Sequence, residues 1–165
     1  MTRLFVAVWP SEGAIEELRA LPRKDQRGVR FVPPENWHVT LRFLGEADID
    51  EVAAALDGAV LPATTAHLGP GVDVFHERAL VVPVSGVDDL AAAVRAATAA
   101  IGQPDRTRFT GHLTLARVKQ SVPMPRSLGA FVQAEWEVGE VALVRSRLDP
   151  DGARYDTVAT WPVSD

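Results

Sequence analysis

The same short pattern, His-x-Thr-Leu, stands twice in the chain, as His38-Val39-Thr40-Leu41 and as His112-Leu113-Thr114-Leu115. The residue types say what such a pair can do. A free imidazole titrates near ~6.5, so two of them can divide the work of a general base and a general acid. A threonine hydroxyl donates a hydrogen bond to a phosphate oxygen. Two histidines and two threonines meeting in one cleft make a kit for phosphodiester hydrolysis without a metal. One imidazole takes a proton from water, and the other gives one to the departing ribose oxygen. The hydroxyls and a nearby cation hold the charge that builds on phosphorus. One His-x-Thr means little, because a lone histidine on a strand is more often an ordinary surface or core residue. Two copies, using two of only four histidines, mean more.

The other two, His67 and His76, lie outside any such pattern and read as surface residues. The chain has no cysteine, no His-x-x-x-His and no carboxylate at ligand spacing beside the motifs, so no metal is expected. There is no glycine-rich phosphate loop ahead of a helix, and no cofactor is expected either.

The motifs need elements to hold them. Residues 38–44 alternate and end at Gly45, which reads as a strand; residues 112–118 read as another. On a strand, positions i and i+2 share a face, so each histidine projects beside its threonine while Val39, Leu41, Leu113 and Leu115 turn toward a core. Residues 4–8 form a short apolar run, a buried strand. Ser11 caps a helix carrying Ile15 and Leu18, and Asp48 with Glu51 resembles a capping box ahead of Ile49, Val52, Leu56 and Val60. Residues 61–73 read as a loop with room for a short strand. Residues 79–84 read as a strand that Pro83 places at a sheet edge. Asp88 opens the clearest helix, with Leu90, Val94, Ala97 and Ile101 on one face and Gly102 at its end. Residues 138–148 and 154–161 are strands joined by the turn Asp149-Pro150-Asp151-Gly152. The class is α+β. The motif repeat, falling near mid-chain, suggests two similar antiparallel-rich sheets, related by a pseudo-twofold axis and facing a cleft, with helices outside. No linker separates independent units, so residues 1–165 read as one bilobal domain.

Composition narrows the partners. The net charge of −5 argues against a general nucleic-acid coating protein. Residues 105–126, however, carry five basic side chains against one acid, and residues 23–42 carry five against two. Such local patches suit a small anionic ligand. The chain lacks both a signal-peptide core and an apolar stretch of the ~20 residues that a membrane span needs. A soluble cytoplasmic protein is expected, with no membrane association and no obligate protein partner.

The flanks of the motifs add a resemblance. Residues 3–8 (Arg-Leu-Phe-Val-Ala-Val) and 32–45 (Val-Pro-Pro-Glu-Asn-Trp-His-Val-Thr-Leu-Arg-Phe-Leu-Gly) are similar to the RNA 2′,3′-cyclic phosphodiesterase family. This is also called the 2′-5′ RNA ligase family, within the two-histidine phosphoesterases. Arg108-Phe109, residues 112–118, Ser146-Arg147-Leu148 and Pro150-Asp151-Gly152 before Tyr155 extend it over nearly the whole chain. The resemblance implies hydrolysis of a ribose 2′,3′-cyclic phosphate at an RNA end to a 2′-phosphomonoester, and in some members reversible 2′-5′ joining. It implies that His38 and His112 are the acid–base pair and that Thr40, Thr114 and Arg117 bind the phosphate. Strict alternation puts Arg117 on the wrong face, so it reaches the site only if the strand bulges, twists or ends there. Phe43 is its counterpart in the first motif. By alternation it belongs to the core, although it could stack on a base. Arg42, on the face of His38, is a candidate electrostatic support. Tyr155 and Trp37 are further stacking candidates. Two other readings stay open: a phosphodiesterase for a small cyclic nucleotide such as ADP-ribose cyclic phosphate, and a nucleotide- or RNA-binding module without turnover.

Overall fold

A computed structural model describes residues 1–76 and 78–164. In chain order the elements are β1 (Thr2–Val8), α1 (Glu12–Arg19), β2 (Val29–Phe31), a 3-10 turn (Pro34–Asn36), β3 (Val39–Ala47) and α2 (Ile49–Asp57). There follow β4 (Thr64–Leu68), β5 (Asp73–Phe75), β6 (Ala79–Ser85), α3 (Asp88–Ala97), β7 (His112–Val118), β8 (Ala134–Val138), β9 (Glu140–Asp149) and β10 (Gly152–Pro162). The α+β class is as expected, and every pairing between these strands is antiparallel. The two expected sheets are halves of one hydrogen-bonded path, in the order β10-β9-β1-β3-β7-β6-β4-β8. They join where the two motif strands meet, at the single pair Val39–Leu113.

The path crosses the order of the chain. β4 follows β3 but pairs with β6, and β9 follows β7 but pairs with β1. Each half of the sheet therefore contains strands from both halves of the sequence. One face of the sheet carries the main core: Leu4, Val6, Val39, Leu113 and Leu115 pack against Leu18 of α1, Val52 and Leu56 of α2, and Leu90 and Val94 of α3. The apolar positions of each helix recur at helical spacing, which is what turns one stripe of it toward the sheet. A second, smaller cluster of Phe5, Ala7, Ala142 and Val144 lies apart, with Trp9 and Tyr155 against it. It forms the floor below His38.

Four sequence expectations are corrected. Pro83 is not at an edge, since β6 runs between β7 and β4. Its carbonyl accepts from Gly69 N, so both its backbone groups face β4 rather than β7, and its missing N–H falls where the β4 ladder ends after Leu68. The α3 helix stops at Ala97, before Ile101, and Val60 lies beyond α2 and is exposed. A separate strand, β8, precedes β9. No helix is long and apolar enough to cross a membrane.

Gly102 sits at φ +67°, where a Cβ would stand 2.3 Å from the carbonyl oxygen of Leu44. Gly102→Ala should therefore destabilise the fold by ~1 kcal/mol or more, read as a Tm lowered by about 2–4 °C per kcal/mol in thermal unfolding.

Candidate active site

Each motif strand carries an extra residue just after its His-x-Thr, and β3 carries a second at Leu44. β1 and β3 pair as Val8–Val39 and Ala7–Thr40, then Val6–Arg42 and Phe5–Phe43, leaving Leu41 without a counterpart. β6 and β7 pair as Pro83–His112, Val82–Leu113 and Val81–Thr114, then Leu80–Ala116 and Ala79–Arg117, leaving Leu115 over. These are β-bulges at the same place in the two motifs, three residues after each histidine. Opposed residues share a face, so each bulge reverses the alternation beyond it. Arg117 returns to the face of Thr114, and Phe43 to that of Thr40. Arg42 is sent with Val6 into the core.

The Val39–Leu113 pair sets His38 across from Thr114 and Thr40 across from His112, continuing the antiparallel register by one residue either way. A cavity of about 320 Å³ gathers His38, Thr40, His112, Thr114, Arg117 and Phe43, together with Tyr155. Residues that the sequence did not single out complete it: Arg3, Phe5, Val32, Asn36 and Ser146. Among the described residues, no aspartate, glutamate or cysteine lines it. Among the described residues there is no cluster of three His, Cys, Asp or Glu side chains placed to hold a metal.

Both imidazoles are anchored alike. His38 Nδ1 lies 2.7 Å from the carbonyl oxygen of Asn36, and His112 Nδ1 lies 2.7 Å from that of Thr110. A carbonyl only accepts, so Nδ1 carries the proton in each, and Nε2 is the nitrogen left for chemistry. In the neutral His38 ring, Nε2 accepts from the Thr40 hydroxyl at 2.9 Å. Asn36 is itself tied down, its Nδ2 donating to Ala153 O at 3.0 Å. A phenylalanine ring lies beside each imidazole at nearly the same tilt: Phe5 at 4.8 Å and 31° from His38, Phe75 at 4.6 Å and 32° from His112.

The environments then diverge. Trp9 and Tyr155 add edge contacts to His38 at 5.9 and 5.3 Å. Burial among these rings pulls the His38 pKa below 6.5, the Asn36 carbonyl opposes that, and the second imidazole, His112, adds to it. The folded chain thus holds His38 neutral at pH values where the unfolded chain would protonate it. Its contribution to stability is complete above about 6.5 and declines as pH falls from there through the folded pKa.

Arg42 is not at this site. It is 1% exposed and donates to Ile101 O at 2.8 Å, beyond the C-terminal end of α3, with Asp105 at 3.8 Å. Burial lowers its pKa, Asp105 offsets this and Arg95 adds to it; a guanidinium stays charged at neutral pH all the same. Trp37 is core, buried to 1% exposure. His67 and His76 are exposed, as expected, with His67 against Glu135 at 3.2 Å.

Comparison with known proteins identifies the family. The model of the 2′-5′ RNA ligase superfamily matches residues 6–150. The chain belongs to that superfamily. It is 34% identical to the RNA 2′,3′-cyclic phosphodiesterase of Thermus thermophilus, over 93% of this chain and 86% of the relative. With the Archaeoglobus fulgidus protein of the same name the identity is 29%, over 93% and 96%. Among solved structures, Escherichia coli LigT complexed with 3′-AMP superposes with a TM-score of 0.78 at 25% identity, over 99% of both chains.

In an NMR titration that resolves the histidines, His38 should titrate below ~6.5. Phe5→Ala, which opens the apolar wall, should move it back toward that value. A wild-type His38 titrating at or above it would contradict the desolvated setting.

Proposed function

We propose that this member of the superfamily hydrolyses ribose 2′,3′-cyclic phosphates at RNA ends, leaving 2′-phosphomonoesters, with no metal taking part. The observation that carries the reading is the pairing of the two bulged strands. It brings two Nδ1-anchored imidazoles, two threonine hydroxyls and Arg117 around one cavity. One Nε2 takes a proton from water as its oxygen bonds to phosphorus. The P–O3′ bond breaks, and the other imidazole protonates O3′. Thr40, Thr114 and the Arg117 fork hold the phosphoryl oxygens, whose charge rises in the transition state. An RNA 5′-hydroxyl in place of water would give a 2′-5′ phosphodiester by the same bond changes, which is the ligation that the superfamily is named for. Among the described residues no carboxylate or thiolate joins the two imidazoles in the lining, and two imidazoles alone fall short of the three protein ligands of a catalytic zinc site, which supports metal independence. The strand exchange through β4 and β9 supports treating the chain as one domain.

His38→Ala and His112→Ala should each lower turnover of a 2′,3′-cyclic mononucleotide by ~10²–10⁴-fold with the circular dichroism unchanged. Exhaustive chelation should leave the wild-type rate as it was. Near-normal turnover in either variant would end the two-histidine mechanism, and activity lost to chelator and restored by one metal would end the metal-free one.

Arg117→Lys keeps the charge but loses the planar fork, so it should be slower than wild type and faster than Arg117→Ala. Phosphorus NMR of the product should show the 2′-phosphate. A mainly 3′-phosphate product would reverse the assignment of the leaving oxygen, and a fully active Arg117→Ala would remove that residue from the site.

A further inference from the structure

The cavity between the histidines is small, near the lower limit of the ~300–1,000 Å³ typical of ligand sites, room for one terminal nucleotide and little more. Past Thr40, Phe43, His112, Thr114 and Arg117 it opens into a groove of about 1070 Å³. Its other walls include Phe5, Val32, Asn36 and Tyr155. A chain attached to the 5′ side of the terminal ribose therefore has this groove as its continuous path.

Among the described residues, five arginines line the groove, Arg78, Arg95, Arg106, Arg108 and Arg117, against the one carboxylate of Asp105. That local excess stands in a protein of net charge −5. The five are not equivalent. Arg78 is spent on the backbone carbonyls of Val118, Lys119 and Val122, and Arg95 is paired with Asp105 at 2.9 Å. Arg106 and Arg108 are exposed, with no hydrogen bond or ion pair among the described residues. Their backbone is nevertheless pinned. Asp105 is held by Arg95 and by the buried Arg42, and Thr107 O accepts from Arg95 Nη1 at 3.0 Å. Anchoring 105 and 107 presents 106 and 108 with less ordering left to do on binding. Two aromatic rings lie along the same groove, and each has an arginine over one face, which leaves the other face for a base. Arg3 sits over Phe43 at 5.1 Å from the ring centre, and Arg95 over Phe109 at 5.1 Å.

We propose that the groove is a binding track for single-stranded RNA upstream of the cyclic phosphate. Arg106 and Arg108 meet its phosphates, and Phe43 and Phe109 meet its bases. A file of cations interleaved with ring faces is the physical signature of single-strand binding, since ring faces reach only unpaired bases. The proposal rests on the catalytic reading above and extends it: the preferred substrate is an oligonucleotide with an unpaired 3′ end rather than a free cyclic nucleotide.

The test compares kcat/KM for a 2′,3′-cyclic mononucleotide, for a short single-stranded oligoribonucleotide ending in the same group, and for that end within a blunt duplex, each over a range of salt. The single strand should be the best substrate. Its log kcat/KM should fall more steeply with log salt than that of the mononucleotide, by ~0.7 for each phosphate neutralised and so about 1.4 for two. Arg106→Ser/Arg108→Ser should abolish the added slope and the oligonucleotide advantage while leaving mononucleotide turnover unchanged. Equal rates and slopes for mononucleotide and single strand would overturn the track, as would a duplex end used equally well, or a double variant that slows both substrates alike. If none of the substrates is turned over, the catalytic reading fails separately. The track is then judged by fluorescence anisotropy of a labelled oligoribonucleotide with a 3′-hydroxyl: tighter binding to the native protein than to the double variant upholds it, and equal binding overturns it.

Discussion

The site depends on a local failure of strand alternation. Side chains on a strand change face at every residue, so a histidine and the residue five positions later belong on opposite sides. One unpaired residue in each motif strand, Leu41 in β3 and Leu115 in β7, cancels that and brings position five back to the histidine's face. The same backbone device delivers a cation to the cleft on one strand, Arg117, and an aromatic ring on the other, Phe43. It also turns the residue just before each of them into the core. Alanine fits there at 116, whereas at 42 an arginine does, and its charge is accommodated by the carbonyls past the end of α3 and by Asp105. Buried cations need such partners, so the interior that supports the site has a polar strut running from β3 to the 103–108 segment.

What could be read in advance follows from how far each feature acts along the chain. The histidines and threonines were legible because positions i and i+2 share a face whatever happens downstream. The helices were legible from their apolar spacing, although Ile101 and Val60 continue the pattern past the hydrogen-bonded ends at Ala97 and Asp57. The bulges were not legible as such, because Leu41 and Leu115 are ordinary core residues in either register. Alternation alone therefore exchanged the places of Arg42 and Phe43, and left Arg117 in need of some irregularity that only the pairing with β1 and β6 identifies. Pro83 misled for a related reason. Its missing N–H matters only if a neighbour strand is there to receive it, and that depends on where β4 stops. The cavity walls from Phe5, Asn36 and Ser146 lie in segments that carry the resemblance, but those segments are distant in sequence and nothing local says that they meet.

A doubled architecture would by itself supply two equal imidazoles, and equal groups make a poor acid–base pair. The structure keeps the equality in the anchoring, with a carbonyl two residues back and a tilted phenylalanine for each ring, and breaks it in the surroundings. Trp9 and Tyr155 crowd His38, and the desolvation they bring favours its neutral form. Unequal surroundings are what the division of acid and base proposed for the pair requires.

The exchange of strands between the halves orders events in time. β9 and β10, which carry Ser146 and Tyr155 to the cavity, follow His112 in the chain, yet β9 pairs with β1 at its beginning and β10 with β9. A ribosome that has released both histidines has not yet supplied the wall beside the first of them. Closing that wall joins segments far apart in sequence, the slow kind of contact in folding. The cavity around the two histidines is thereby a late product of folding rather than a property of either half.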